Sequence, residues 1–255
     1  MLLFIAITSI CCKPIAQSPE VEREQKIDQL MNATVTIKRE VTLENGQTKY
    51  NLLCSGVWIS QKVFLTARHC MEALVFDENE YFLIKMFGIP LNEDQFVGTP
   101  IYFSNYLEKD VDFTPTNKPH LGKIIAYDRL IDIAAISTDE ETLHTSVPIQ
   151  SYDTYVSEKL TIIGHTNGIK YNYLEGYVTN LSLVRKEGIE GPLPPYLVIN
   201  SSIGPGNSGG GAFNANGDLV AICSAYSVEN KSISLFIPLE QIKYFVDKKG
   251  LLLII

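Results

Sequence analysis

Short apolar runs of strand length, separated by turn residues and with no helical period between them, limit this chain more than any other feature. Thr34-Val-Thr-Ile-Lys38, Cys54–Ser60, Val63-Phe-Leu-Thr66, Tyr81-Phe-Leu-Ile-Lys85 and Ile131–Ile136 fill the first half. Lys159–Gly164, Leu174–Val184, Tyr196–Asn200, Leu219–Cys223 and Ile233–Ile237 fill the second. Runs at this spacing predict an all-β barrel or sandwich. Phe87–Leu121, rich in Pro, Asn, Asp and aromatic residues, reads as loop insertions. The polar stretch Glu140–Asp153 carries Pro148 and suits a linker over 141–152. It divides the chain into a first half over 30–140 and a second over 153–237. Beyond it, Pro238–Gly250 places Leu239, Ile242, Phe245 and Val246 on one stripe, with Lys248 and Lys249 before a stopping glycine. That predicts a short amphipathic helix, and an apolar tail over 251–255 that packs back on the body.

The N-terminal end is of another kind. Leu2–Cys12 is apolar but too short to span a bilayer, and it has the length of a signal-peptide core. Pro14-Ile15-Ala16 offers a cleavage site, and Cys11-Cys12 resembles a bacterial lipoprotein site. Residues 1–16 are therefore expected to be an export segment and 17–29 a polar tether; a buried terminal strand or helix is the plainer alternative. Any membrane association is expected only through such an N-terminal lipid anchor. A net charge of −8 across 255 residues, with no Lys/Arg cluster, argues against nucleic acid and anionic membrane surfaces as partners. The histidines are dispersed and no paired CxxC occurs, so no metal or other cofactor is expected.

Chemistry concentrates in Gly204-Pro-Gly-Asn-Ser-Gly-Gly-Gly211. Glycines on both sides of one serine let the backbone turn sharply and approach a substrate. A nucleophilic serine needs that, because amide N–H groups must face the oxygen that becomes negative. Gly206 and Ser208 would supply those donors, while a Gly-rich hairpin turn is the plainer reading of the same residues. Gly206-Asn-Ser-Gly-Gly210 also matches the nucleophile elbow of α/β-hydrolases, but that fold needs its histidine after the serine. His69, His120, His144 and His165 all precede Ser208, which excludes it. His69 ends an apolar strand in Phe64-Leu-Thr-Ala-Arg-His-Cys70 and is the candidate base. His120 and His144 fall in polar stretches, and His165 reads as a turn residue. A carboxylate must fix the tautomer of that base. Asp132 interrupts the apolar run Leu130–Ile136, where an unpartnered carboxylate would be costly, whereas Asp110 and Asp128 have polar flanks.

The order His69, Asp132, Ser208, with Thr66-Ala-Arg-His-Cys70, Asp132-Ile-Ala and Gly206-Asn-Ser-Gly-Gly210, resembles the trypsin/chymotrypsin-like serine protease family. The resemblance runs from about Ala33 to Lys249. Ile203–Gly210 is similar to the nucleophile loop of bacterial, HtrA-like members, and a bare protease domain without a PDZ domain is expected. The resemblance implies two six-stranded antiparallel β-barrels with the site between them. It also implies serine endopeptidase chemistry on polypeptide substrates, with a catalytically silent binding protein as the alternative; a monomer is expected. It implies a Cys54–Cys70 disulfide beside the histidine, and hence an oxidising, exported location that is secreted, periplasmic or at the cell surface. Cys223 is left as a buried free thiol. Ser202, Ser224, Ala225, Tyr226 and Ser234 fall at the family's substrate-pocket positions. Ser202 in place of an aspartate removes the support for a basic primary preference, and Tyr226 supplies a bulky wall. Asn207 stands where zymogen-type members carry the aspartate that pairs with a new N-terminus, and Arg68 where a small residue is usual.

Overall fold

A computed structural model describes residues 18–75, 96–114, 116–166, 168–183, 195–227 and 230–251. The export segment, the strand expected over 81–85, the first part of the expected insertion (87–95) and residues 252–255 lie outside the described residues. The first closed barrel is built from β1 (Thr34–Thr42), β2 (Thr48–Trp58), β3 (Val63–Ala67), β4 (Pro100–Asn105), β5 (His120–Asp128) and β6 (Ile133–Ser137), in the order β1-β2-β3-β6-β5-β4. The second is built from β7 (Lys159–Thr166), β8 (Ile169–Leu183), β9 (Tyr196–Ile199), β10 (Gly211–Phe213), β11 (Leu219–Tyr226) and β12 (Ser234–Pro238), in the order β10-β11-β12-β9-β8-β7. All pairings are antiparallel, so the all-β expectation of two six-stranded barrels holds. Closure removes the free sheet edges except where a strand outruns its neighbour, as Ser224–Tyr226 of β11 does beyond β10.

Each barrel is filled by the inward residues of its strands. Val35, Ile37, Trp58, Phe64, Phe103, Ile124 and Ile136 fill the first, with Trp58 meeting Phe64 and Phe103 edge-on at ring separations of 4.9 and 5.6 Å. Leu160, Ile162, Val178, Leu197, Ile199, Val220 and Phe236 fill the second. A third cluster joins the barrels: Leu65 and Ala135 from one meet Ile163, Phe213, Ile222 and Ile237 from the other. The C-terminal helix (Leu239–Lys248), which follows β12 directly, seals this seam with Leu239, Ile242, Phe245 and Val246 buried, as its stripe predicts.

The structure corrects several local expectations. Within the stretch read as loop insertion, Pro100–Asn105 is strand β4, which buries Ile101 and Phe103 against β1; its flanking Pro and Asn disguised the alternation as turn chemistry. His120 opens strand β5 rather than lying in a loop. The segment read as tether is helix α1 (Pro19–Asn32), capped by Ser18 and carrying Glu20 and Glu22 in its first turn. It is polar nearly all round and buries only Leu30, so no period betrayed it. Arg23 holds it to Glu175 at 3.3 Å, and the Lys26 ammonium donates to the Ala215 carbonyl. Among the described residues no helix is long and apolar enough to cross a membrane.

Candidate active site

Strand β3 ends at Ala67, and the chain turns directly into helix α2 (Arg68–Val75), which carries His69 on its first turn. Asp132 lies in the turn before β6, not within a strand, with φ +59°. Aspartate tolerates this left-handed conformation better than most residues. The β3–β6 pairing brings the two turns together: Arg68 N–H donates to the Asp132 carbonyl, and His69 N–H to its carboxylate, at 2.8 and 3.0 Å. The imidazole Nδ1 then sits 2.9 Å from Asp132 Oδ2 and 3.2 Å from Oδ1. On its other side Nε2 is 2.8 Å from Ser208 Oγ. An ionised carboxylate only accepts, so Nδ1 carries the proton and Nε2 offers its lone pair to the Ser208 hydroxyl. His69, Asp132 and Ser208 are thus one hydrogen-bonded chain across the two barrels.

Asp132 is nearly buried. Burial by itself would lift its carboxyl, but the charge and hydrogen bond of His69, the Ser224 hydroxyl and the Arg68 guanidinium together hold it below the usual carboxylate range. Ser224 Oγ donates to Asp132 Oδ2 at 2.6 Å, and Arg68 Nε lies 3.9 Å from Oδ1 while its Nη1 pairs with Glu72. Arg68 is therefore accommodated by Glu72 on the next turn of α2. The Cys54–Cys70 disulfide is present, with Cα atoms 6.2 Å apart, and it ties β2 to α2 one residue past His69.

The serine loop is held from both barrels. Asn207 N–H donates to the Gly204 carbonyl with Gly206 at φ +99°, a type II turn with Pro205 at its second position. Ser55 grips this turn at both ends: its N–H donates to the Ser208 carbonyl and its hydroxyl to the Gly206 carbonyl, each at 2.8 Å. The same hydroxyl accepts from His165 N–H at 3.0 Å. A Cβ on Gly209 (φ +84°) would lie 2.1 Å from the Ser55 carbonyl, so only glycine allows this approach. Gly209 N–H and Gly210 C=O are spent on Cys223 of β11. Among the described residues, neither Gly206 N–H nor Ser208 N–H has an acceptor within the protein.

The remaining candidates divide. Ser202 is exposed, and Ala225 and Tyr226 are half-buried on β11, free to border a substrate. The hydroxyls of Ser224 and Ser234, read as pocket lining, are spent elsewhere: Ser224 on Asp132, and Ser234, fully buried, on the Ser201 carbonyl at 2.6 Å. Cys223 is buried and free, and burial beside Asp132 drives its thiol far above the usual range, which leaves it inert. Asn207 is buried with neither amide atom paired among the described residues, and its neutral amide cannot form the ion pair of an aspartate. His165 is not a turn residue: it is fully buried in β7, where Nδ1 accepts from Tyr171 N–H and Nε2 reaches Thr36 Oγ1 at 2.8 Å. Sequence reasoning missed Ser55 altogether, since a serine one residue after a cysteine carries no signal of its own.

Comparison with known proteins gives the family and the fold. The trypsin-like peptidase domain family matches residues 54–222. A putative serine protease HhoB of Synechocystis is 25% identical over 120 residues, 47% of this chain and 29% of that protein. A probable periplasmic serine endoprotease, DegP-like, of Halomonas elongata is 22% identical over 137 residues, 54% of this chain and 28% of that protein. The chain thus spans under a third of the length of these curated relatives. Among solved structures, the active form of the Rv3671c protease of M. tuberculosis superposes with a TM-score of 0.63 at 12% identity, covering 98% of this chain and 94% of that one. The serine endoprotease of Yersinia pestis gives 0.57 at 18%, covering 89% and 65%. These structural likenesses speak for the fold, and the family match takes in His69, Asp132 and Ser208 alike: the chain belongs to the trypsin-like serine peptidase family.

Proposed function

We propose that the protein is an exported serine endopeptidase that cleaves polypeptides through His69, Asp132 and Ser208. The observation that carries this reading is the unbroken chain from Asp132 through His69 to Ser208 Oγ, with contacts of 2.9 and 2.8 Å. Ser208 Oγ attacks the scissile carbonyl carbon while its proton passes to His69 Nε2. Asp132 keeps Nδ1 protonated and stabilises the imidazolium. The carbonyl oxygen takes the negative charge and is met by the N–H groups of Gly206 and Ser208, whose lack of internal acceptors supports this role. One such donor is worth about 3–4 kcal/mol of barrier. His69 then returns the proton to the leaving amine as the C–N bond breaks, giving an acyl-Ser208 ester. Water, deprotonated by His69, attacks the ester and frees the second product and Ser208.

Ser202, Ala225 and Tyr226 are proposed to border the acyl-side chain, favouring small or medium uncharged residues, with the Ser224–Tyr226 edge pairing to the substrate backbone. Export is supported by the disulfide, which persists in oxidising compartments, and by the apolar segment at residues 1–16. Covalent labelling with a fluorophosphonate tests the reading. The adduct is expected on Ser208 in the wild type and absent from Ser208→Ala and His69→Ala. No adduct on folded, disulfide-intact wild type would leave a silent binding protein instead.

A further inference from the structure

A cavity of about 570 Å³ opens beside the nucleophile loop, between the β1–β2 hairpin, residues 111–114 and the start of β8. Its lining includes three lysines, Lys38, Lys49 and Lys170, the last with its ammonium donating to the Lys109 carbonyl, against one acidic residue, Asp112. This is a cationic hollow on a chain whose net charge is −8. Lys38 is only 4% exposed, and no carboxylate among the described residues lies within 4 Å of it. Its Nζ rests 4.9 Å from the centre of the Phe113 ring. Burial, and then the charge of Lys170, lower its pKa to about 8, and Glu108 opposes this only in part. Glu108 is itself engaged by His120 Nε2 at 2.7 Å and by Asn105 N–H at 2.9 Å. A buried ammonium left without a counter-ion is costly, and an incoming anion would relieve that cost.

The hollow adjoins the nucleophile loop through Leu52. Leu52, which lines it, is the register partner of Lys38, and its side chain would stand 3.1 Å from a Cβ on Gly206. It lies across Gly206 in the first barrel, whereas Ser224–Tyr226 border Ser208 from the second. We propose that the Lys38–Lys170 hollow is a subsite for acidic side chains of the polypeptide, on the leaving-group side of the scissile bond. Naming the ligand a substrate rests on the endopeptidase reading; the binding of an acidic peptide does not.

The full chain carrying Ser208→Ala, labelled with ¹³C at lysine Cε, is titrated with two short peptides identical except for a Glu-Glu or a Gln-Gln pair. The Glu peptide is expected to move the Lys38 and Lys170 resonances and to bind about tenfold more tightly, the size of one charge-assisted hydrogen bond. This advantage shrinks with added salt. It disappears in Lys38→Met, and Lys170→Gln, at an exposed position, reduces it without touching the core. Equal binding, no binding, or shifts confined to other lysines overturns the inference. Wild-type protein is given the same peptides to cleave. Discrimination in binding with no cleavage of either peptide refutes the endopeptidase reading and leaves the subsite standing. Cleavage of both at equal rates, with equal binding, does the reverse.

Discussion

A hydroxyl at the right place can matter as much as the groups that react. Ser224 lies on the strand bordering the nucleophile, where its side chain was expected to line a pocket, yet its Oγ donates to Asp132 Oδ2 at 2.6 Å. The carboxylate is nearly buried, and in that setting each of its donors, His69, Ser224 and Arg68, counts. A hydrogen bond to a charged group contributes about 1.5–3 kcal/mol. Ser224→Ala is expected to raise the Asp132 carboxyl toward the normal range and to lower kcat/KM about tenfold with the fold intact, that lost energy reaching the imidazolium only in part. A pH–rate profile checks it: the acid limb should move to higher pH, and an unchanged profile in a slower enzyme would mean that Ser224 acts on substrate instead. The motif residues His69 and Ser208 were legible because their neighbours are unusual, glycines around the serine and a strand end before the histidine. Ser224 and Ser55 were not, because a serine's role is set by what folds against it.

At the scale of elements, the join between β2 and α2 is where covalent and non-covalent support meet. The Cys54–Cys70 bridge closes a loop with a sequence separation of 16 and carries the first turn of α2 with it. Loop-closure entropy assigns a bridge of this span about 3 kcal/mol. The double variant Cys54→Ser/Cys70→Ser should lose that much in urea unfolding, and with it part of the alignment of His69; a loss below about 1 kcal/mol would show that the packing of β2 on β3 already sets this geometry. Apolar runs of strand length were readable for β1, β3, β7 and β12. It was not for β4, where Pro100 and Asn105 flank two inward apolar residues, nor for α1, where the buried contribution is a single leucine. Both elements are stabilised by partners remote in sequence, which a local pattern does not record.

The whole molecule depends on His165 as a tie between barrels. From β7 it reaches Thr36 of β1, its backbone N–H meets the Ser55 hydroxyl, and its ring is enclosed. Burial depresses its pKa to about 3, so the folded protein holds it neutral. The unfolded chain binds a proton near pH 6.5 while the folded chain does not, so this contribution is complete above about pH 6.5. It is lost as pH falls toward 3. Between pH 7 and pH 5 the loss is about 2 kcal/mol. Urea titrations of wild type and His165→Gln at the two pH values isolate it: the difference in stability between them should narrow by that amount at pH 5. A constant difference would mean that the ring titrates normally.

What the residues determined alone was the kind of fold and the chemistry it could host. Short apolar runs of strand length bounded by turn residues require sheets that bury them. A serine set among glycines, with a histidine at a strand end before it, requires a donor-lined nucleophile of one chain order. Tertiary structure alone decided which side chains serve that chemistry indirectly and where an unpaired charge was left. Ser55 became the clasp of the serine loop, Ser224 the partner of Asp132, and Lys38 a buried cation facing a hollow, through contacts between residues that are scores of positions apart. The physical reason is that hydrogen bonds and desolvation depend on distances of a few ångströms in space. Sequence periodicity, in contrast, records only which face of each element turns toward the core.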